Sequence, residues 1–178
     1  MGLCRSEAEL LMTTLGKTTD GSTTSTASTA KAVASVATAT ADGVLATGAA
    51  RVWVASGSVP VQLGVWADSS GSPGALLALS DSVSISATAN TETPFTFSGA
   101  NQIAIVNGVA YWIGPTWALP GVVMTWARDA VAVGQVKSVN AQAPNPFGTA
   151  SDLNGPLAAY VNHFPAVSAE DGAFFEFF

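Results

Sequence analysis

Apolar and polar residues alternate with a period of two along most of the chain after residue 31. Val61, Leu63 and Val65 alternate with Gln62, Gly64 and Trp66. Val83, Ile85 and Ala87 alternate with serines, and Phe95 and Phe97 with Thr96 and Ser98. Val109, Tyr111 and Ile113 oppose Ala110 and Trp112, and Val122, Met124 and Trp126 continue the pattern. Successive side chains of a strand point to opposite faces, so this is the signature of half-buried strands. Further candidates are 32–40, 50–55, 76–79, Ile103 with Ile105, 133–139 and 157–162. Turn signals separate them, among them Asp42-Gly43, Asn107-Gly108 and Pro120-Gly121. No stretch after residue 16 sustains a helical period. The pattern predicts an all-β protein over residues 32–165. Sheet edges must be covered, which favours an antiparallel two-sheet β-sandwich of jelly-roll form.

The ends read differently. Ser6 with Glu9 forms a capping-box pattern and Gly16 can close a helix, which predicts a short helix over 6–15. Met12 is an equally natural start, which would make 1–11 an upstream extension. Residues 17–31, KTTDGSTTSTASTAK, are low in complexity and offer no face to bury, so an extended arm or linker is expected. Residues 1–31 thus form an N-terminal helix or arm, and residues 166–178 a C-terminal extension.

Composition narrows the partners. Charged residues make up 10% of the 178, against roughly 25% in ordinary soluble domains. Such a surface suits a chain partly covered by other chains. Six Lys and Arg, scattered among twelve Asp and Glu, argue against nucleic acid, which needs clustered cations. Cys4 is the only cysteine, which excludes an intrachain disulfide and a cysteine-rich zinc site. No secretory signal is legible at the start, because Glu7 and Glu9 interrupt the apolar run. The uncharged segment 109–127 is long enough to span a bilayer. Gly114-Pro115 and Pro120-Gly121 punctuate it, so strand, loop, strand is expected and membrane insertion is not.

Candidate chemistry is sparse. Asp68, Ser69 and Ser70 are oxygen-rich, but each residue of the loop has a mechanical task. Asp68 can accept from N–H groups ahead of it, Gly71 supplies positive φ, Pro73 fixes φ, and Gly74 releases the chain. Calcium needs six or more oxygens, and the EF-hand spacing is missing. His163 is the only histidine, so a Ser-His-Asp triad would have to use it, with Ser151 and Asp152 nearby in sequence. Asp68, Asp81, Glu92, Asp129, Asp152, Glu170 and Asp171 are the carboxylates available to a glycosidase. Most sit in turn contexts. No phosphate loop or dinucleotide fingerprint occurs. No cofactor or metal is expected.

Aromatics carry the remaining signal. Trp53, Trp66 and Trp112 oppose the apolar face of their own strands. Either those faces are exposed, or both faces are covered, by a second sheet, a neighbouring chain or a glycan. Phe174, Phe175, Phe177 and Phe178 crowd the end of the sequence. Left in water, such a segment invites aggregation. It predicts either a final strand of the same domain or a docking strand at a subunit interface.

Three stretches carry a resemblance. VWADSSGSPGALLALS (65–80) is similar to the Tyr-Ala-Asp-x-x-Gly-x-Pro-Gly-x-Leu-Leu-Ala signature of a group of bacteriophage-associated β-sandwich proteins, with Trp66 in place of the tyrosine. NGVAYWIG (107–114) resembles their Gly-x-Tyr-Trp-Leu strand. NPFGTAS (145–151) with LAAYVNH (157–163) resembles their Pro-Phe-Gly turn and closing strand. The resemblance implies a jelly-roll module of the virion, decorating the capsid or attached to the tail. It would be assembled in the host cytoplasm and would act without catalysis. The partners it implies are other virion proteins and copies of itself, a trimer being one natural symmetry. No functional residue carries over from the resemblance. A carbohydrate-binding module for host glycan is the alternative, and a glycan hydrolase ranks last.

Overall fold

The computed structural model describes residues 12–118, 121–130, 136–153 and 155–165. They form two antiparallel sheets packed face to face. Sheet I contains β1 (Thr13–Gly16), β2 (Thr23–Ala27), β4 (Gly43–Val54), β8 (Glu92–Thr96), β9 (Ala104–Ile105), β11 (Met124–Arg128) and β14 (Ala159–Phe164). Its order is β1-β14-β4-β11-β2, with β8 and β9 also paired to β4. Sheet II contains β3 (Lys31–Thr38), β5 (Val59–Asp68), β6 (Pro73–Leu79), β7 (Val83–Ile85), β10 (Ala110–Trp117), β12 (Val136–Val139) and β13 (Ser151–Leu153). Its order is β13-β12-β3-β10-β5-β6, with β7 paired to β5. A single 3-10 turn at Gly99–Asn101 is the only helical piece among the described residues. The all-β, two-sheet antiparallel sandwich predicted by the period of two is the fold of the chain.

The inward faces meet in one core. Leu45, Val52, Val54, Phe95 and Val161 of sheet I face Val33, Leu63, Val65, Ile113 and Trp117 of sheet II, all fully buried. The sheets approach closely at Gly48. A Cβ there would stand 2.6 Å from Leu63 Cδ2 and 2.6 Å from the Tyr160 carbonyl. A register shift between Asn162 and His163 leaves Ala46 as an extra residue in β4. Such a bulge resets the phase of alternation. It lets Leu45 and Gly48, three residues apart, both face inward.

Several expectations are corrected. Residues 13–16 form β1, hydrogen-bonded along β14, and do not close a helix. Residues 1–11, with Ser6 and Glu9, lie outside the described residues. The Ser/Thr-rich segment 17–31 is no linker, because Thr23–Ala27 pair with Thr23-facing Arg128 through Met124 of β11. Strand pairing there is made by the backbone, and β-branched threonine suits an edge whose outer side is wet. The sandwich therefore begins before residue 32. Gly114-Pro115 is not a loop either. Both residues lie inside β10, opposite Gly64 and Leu63 of β5. The ladder from β10 to β3 skips these two residues, so the missing proline donor leaves no pair broken. Gly114 is needed there: a Cβ would stand 1.9 Å from the Val33 carbonyl oxygen. Among the described residues no helix is long and apolar enough to cross a membrane.

Candidate functional site

The 65–80 motif forms the β5–β6 hairpin. Ser69 and Ser72 exchange backbone hydrogen bonds of 2.7 and 3.2 Å, closing the loop. Ser70 and Gly71 both adopt positive φ, 54° and 79°, the pairing that matches strand twist in a tight hairpin. Gly71 N–H donates to Asp68 Oδ2 at 3.2 Å, the Asx-turn bond expected of this aspartate. Pro73 starts β6 and is buried. Gly74 serves close approach more than release of the turn. Its Cβ would meet Ser69 Cβ at 3.0 Å, and its carbonyl accepts from Phe147 N–H at 2.9 Å.

Asp68 also has a second, distant partner that no local pattern reveals. Its Oδ1 accepts from Trp112 Nε1 at 2.7 Å, reaching across to β10. Trp66 stands beside Trp112 in register and donates Nε1 to the Pro144 carbonyl at 2.9 Å. The Phe147 ring meets Trp66 edge-on, with centroids 5.1 Å apart and planes at 87°. Asn145 Oδ1 accepts from Leu76 N–H at 3.1 Å. The peptide bond between Asn145 and Pro146 is cis. Residues 140–150 thus lie over the outer face of sheet II. They enclose a second small core of Ala32, Ala34, Trp66, Trp112 and Phe147. Of the two alternatives for Trp66 and Trp112, exposed or covered, the structure shows the covered one, and the chain supplies the cover itself. Stretches 65–80, 107–114 and 145–151 converge on this one joint, whereas 157–163 runs into β14 of sheet I.

The remaining tryptophans divide. Trp117 is buried and donates to the Thr29 carbonyl at 2.9 Å, and its ring stands 5.6 Å from that of Trp126. Trp53 alone is half-buried, on the outer face of sheet I.

Groups considered for catalysis do not gather. His163 lies on β14 in sheet I, fully buried, and neither ring nitrogen has a hydrogen-bond partner among the described residues. Burial holds its pKa below the ordinary histidine value. Ser151 and Asp152 lie on β13, the edge of the other sheet. Each described carboxylate named above has its own partner. Asp81 accepts from Ser98 Oγ, Glu92 from Tyr160 Oη, Asp129 from Lys17 and Asp152 from Lys137. The Lys17 ammonium holds the Asp129 carboxyl below its usual range, against the smaller opposing effect of burial. Burial, then the Glu92 carboxylate, pushes the Tyr160 phenol up. No group of three or more metal-ligating side chains occurs among the described residues. Glu170, Asp171 and the aromatic residues Phe174, Phe175, Phe177 and Phe178 lie outside the described residues.

Among the described residues, two recesses on the surface stand out. One, of about 470 Å³, has Lys31, Ser138, Asn140, Thr149 and Ser151 on its walls. Lys31 Nζ donates to Asn140 Oδ1 there at 2.9 Å. The other, of about 440 Å³, lies where β9 of sheet I crosses to β10 of sheet II. It is lined by Ala67, Leu77, Val106, Val109 and Tyr111, with Asp68 at its rim. No family model matches this chain, and no curated protein matches it.

Proposed function

We propose that this chain is a structural protein of a bacteriophage virion, a jelly-roll module that decorates the capsid or is attached to the tail and works by assembly. One observation supports this reading above the others. Three of the stretches that resemble phage sandwich proteins, 65–80, 107–114 and 145–151, meet in a single joint, and the side-chain polar atoms at its centre are spent inside it. Both Asp68 oxygens, both indole N–H groups and the Asn145 side-chain oxygen are engaged with the protein itself. A catalytic or glycan-binding site keeps such groups turned toward a ligand. The joint instead braces a sheet, which is what a building block needs. The sparse charge of the chain fits a surface shared with neighbouring subunits. Immunogold labelling of particles released from the producing host tests the reading. Label at regular positions on capsid or tail is expected, and unlabelled particles beside a labelled cytosol would refute it.

A further inference from the structure

One end of sheet II carries polar side chains on a face that is otherwise apolar. Ser138 of β12 pairs with Val33 of β3 and with Ser151 of β13, and paired residues of neighbouring strands share a face. Val33 points into the core, so both serines stand on the inner face. Further along the same face Val136 pairs with Leu153, as a core demands. In the other direction Lys31 and Asn140 follow, each two residues on, and Lys31 Nζ donates to Asn140 Oδ1 at 2.9 Å. These four polar residues, with Thr149, line the 470 Å³ recess, a size within the ~300–1,000 Å³ of ligand-binding clefts.

The groups on these walls are not spent within the fold. Ser138 is 4% exposed, yet neither its hydroxyl nor those of Thr149 and Ser151 bond to a described residue. Lys17, Arg51 and Lys137 each pair with a carboxylate. Among the described residues, the Lys31 ammonium has only the neutral Asn140 oxygen. Burial holds it below the usual lysine range, as expected of a charge drawn from water without an opposite one. Asp152 does not supply that charge. It follows Ser151, so it points to the opposite face of β13, where Lys137 holds it. The backbone under Lys31 is fixed on both sides. Trp117 of β10 pairs with it, and Thr116 Oγ1 donates to its carbonyl at 3.2 Å.

From this geometry we propose that the recess binds an acidic sugar, its carboxylate on Lys31 Nζ and its hydroxyls on Ser138, Thr149, Ser151 and Asn140. A single cation matches a single negative charge. A phosphate, with its second charge, calls for several cations or a cradle of backbone N–H groups. Serine and threonine hydroxyls both donate and accept, and the Asn140 amide does the same through two atoms, which suits a ring of hydroxyl groups. Val139, also on the wall, offers an apolar surface to the carbon face of such a ring. The site requires nothing of the virion role and stands or falls separately from it.

NMR titration of the full-length protein with D-glucuronate and D-galacturonate tests this, with glucose and inorganic phosphate as controls. At least one sugar acid should give saturable shifts at the amides of Lys31, Ser138, Asn140 and Ser151, and both controls should bind several-fold more weakly. Lys31→Met should weaken the sugar acid about tenfold, as for loss of a hydrogen bond to a charged group, and Ser138→Ala by less. Should Lys31→Met fail to fold, Ser138→Ala decides. Neither acid giving saturable shifts would overturn the proposal. Glucose binding as well would remove the carboxylate from it, and phosphate binding as well would leave a general anion site; either result overturns the assignment. Unchanged affinity in the folded variants would place binding elsewhere and overturn it too.

Discussion

Trp112 Nε1 donates to Asp68 Oδ1 at 2.7 Å, joining the middle strand of sheet II to the hairpin at its edge. The same carboxylate holds Gly71 N–H through its other oxygen. One residue thus sets the turn and ties it to the sheet. Asp68→Ala should lower stability by about 1–3 kcal/mol, since it strands a buried indole N–H as well as opening the turn. Asp68→Asn keeps an acceptor and should cost less than half as much. Urea midpoints of the two variants check this order. Because both oxygens are engaged, calcium or a chelator should leave the melting temperature unchanged.

Phe147 is the keystone of the outer layer. It is fully buried, edge-on to Trp66, and its N–H is bonded to Gly74. Phe147→Ala should cost about 3 kcal/mol, in line with aromatic truncation in a core. Trp66 would then meet water. Tryptophan fluorescence of the folded variant should shift to the red, while far-UV circular dichroism keeps its strand signal.

His163 predicts the acid limb of stability. The fold holds it neutral, with a pKa below 6.5, whereas an unfolded chain titrates near 6.5. Below that pH the unfolded state binds more protons, so stability is full above about 6.5 and falls as pH drops. Denaturant unfolding between pH 7.5 and 5 should show this loss. In His163→Leu the loss should be smaller over the same interval.

Gly114 makes a steric prediction. The Val33 carbonyl oxygen occupies the place a Cβ would take, and it belongs to backbone that cannot swing aside. Gly114→Ala should destabilise by about 3 kcal/mol or more, at or beyond the upper end of ordinary overpacking. Thermal melts of the purified variant measure it. A neutral effect would mean that β10 and β3 do not approach as described.

The strands with alternating large residues, β5, β10 and β11, were legible because one face of each meets the core. β1, β2 and the first half of β4 were not. Thr, Ser, Ala and Gly dominate them, and small residues give little contrast between faces. Pro115 misled in a particular way. A proline usually ends a strand, and nothing local shows that the ladder to β3 is already interrupted at that point. The turn chemistry of Asp68 and Gly71 could be read directly, being local. The partner of Asp68 could not, because 44 residues separate it from Trp112. Nor could the cover over Trp66. The opposed tryptophans left open whether that face is exposed or covered, and only the fold shows that 140–150 covers it.

The virion role proposed above makes this chain a component of a particle. Particles purified by density gradient from the producing host, analysed by quantitative mass spectrometry against the major capsid protein, test it most directly. A virion component should appear in a fixed ratio to that protein across the particle band, at many copies per particle on a capsid or at a small integer set by the tail. Its absence from particles, with the bulk of it free in the lysate, would rule out a virion role.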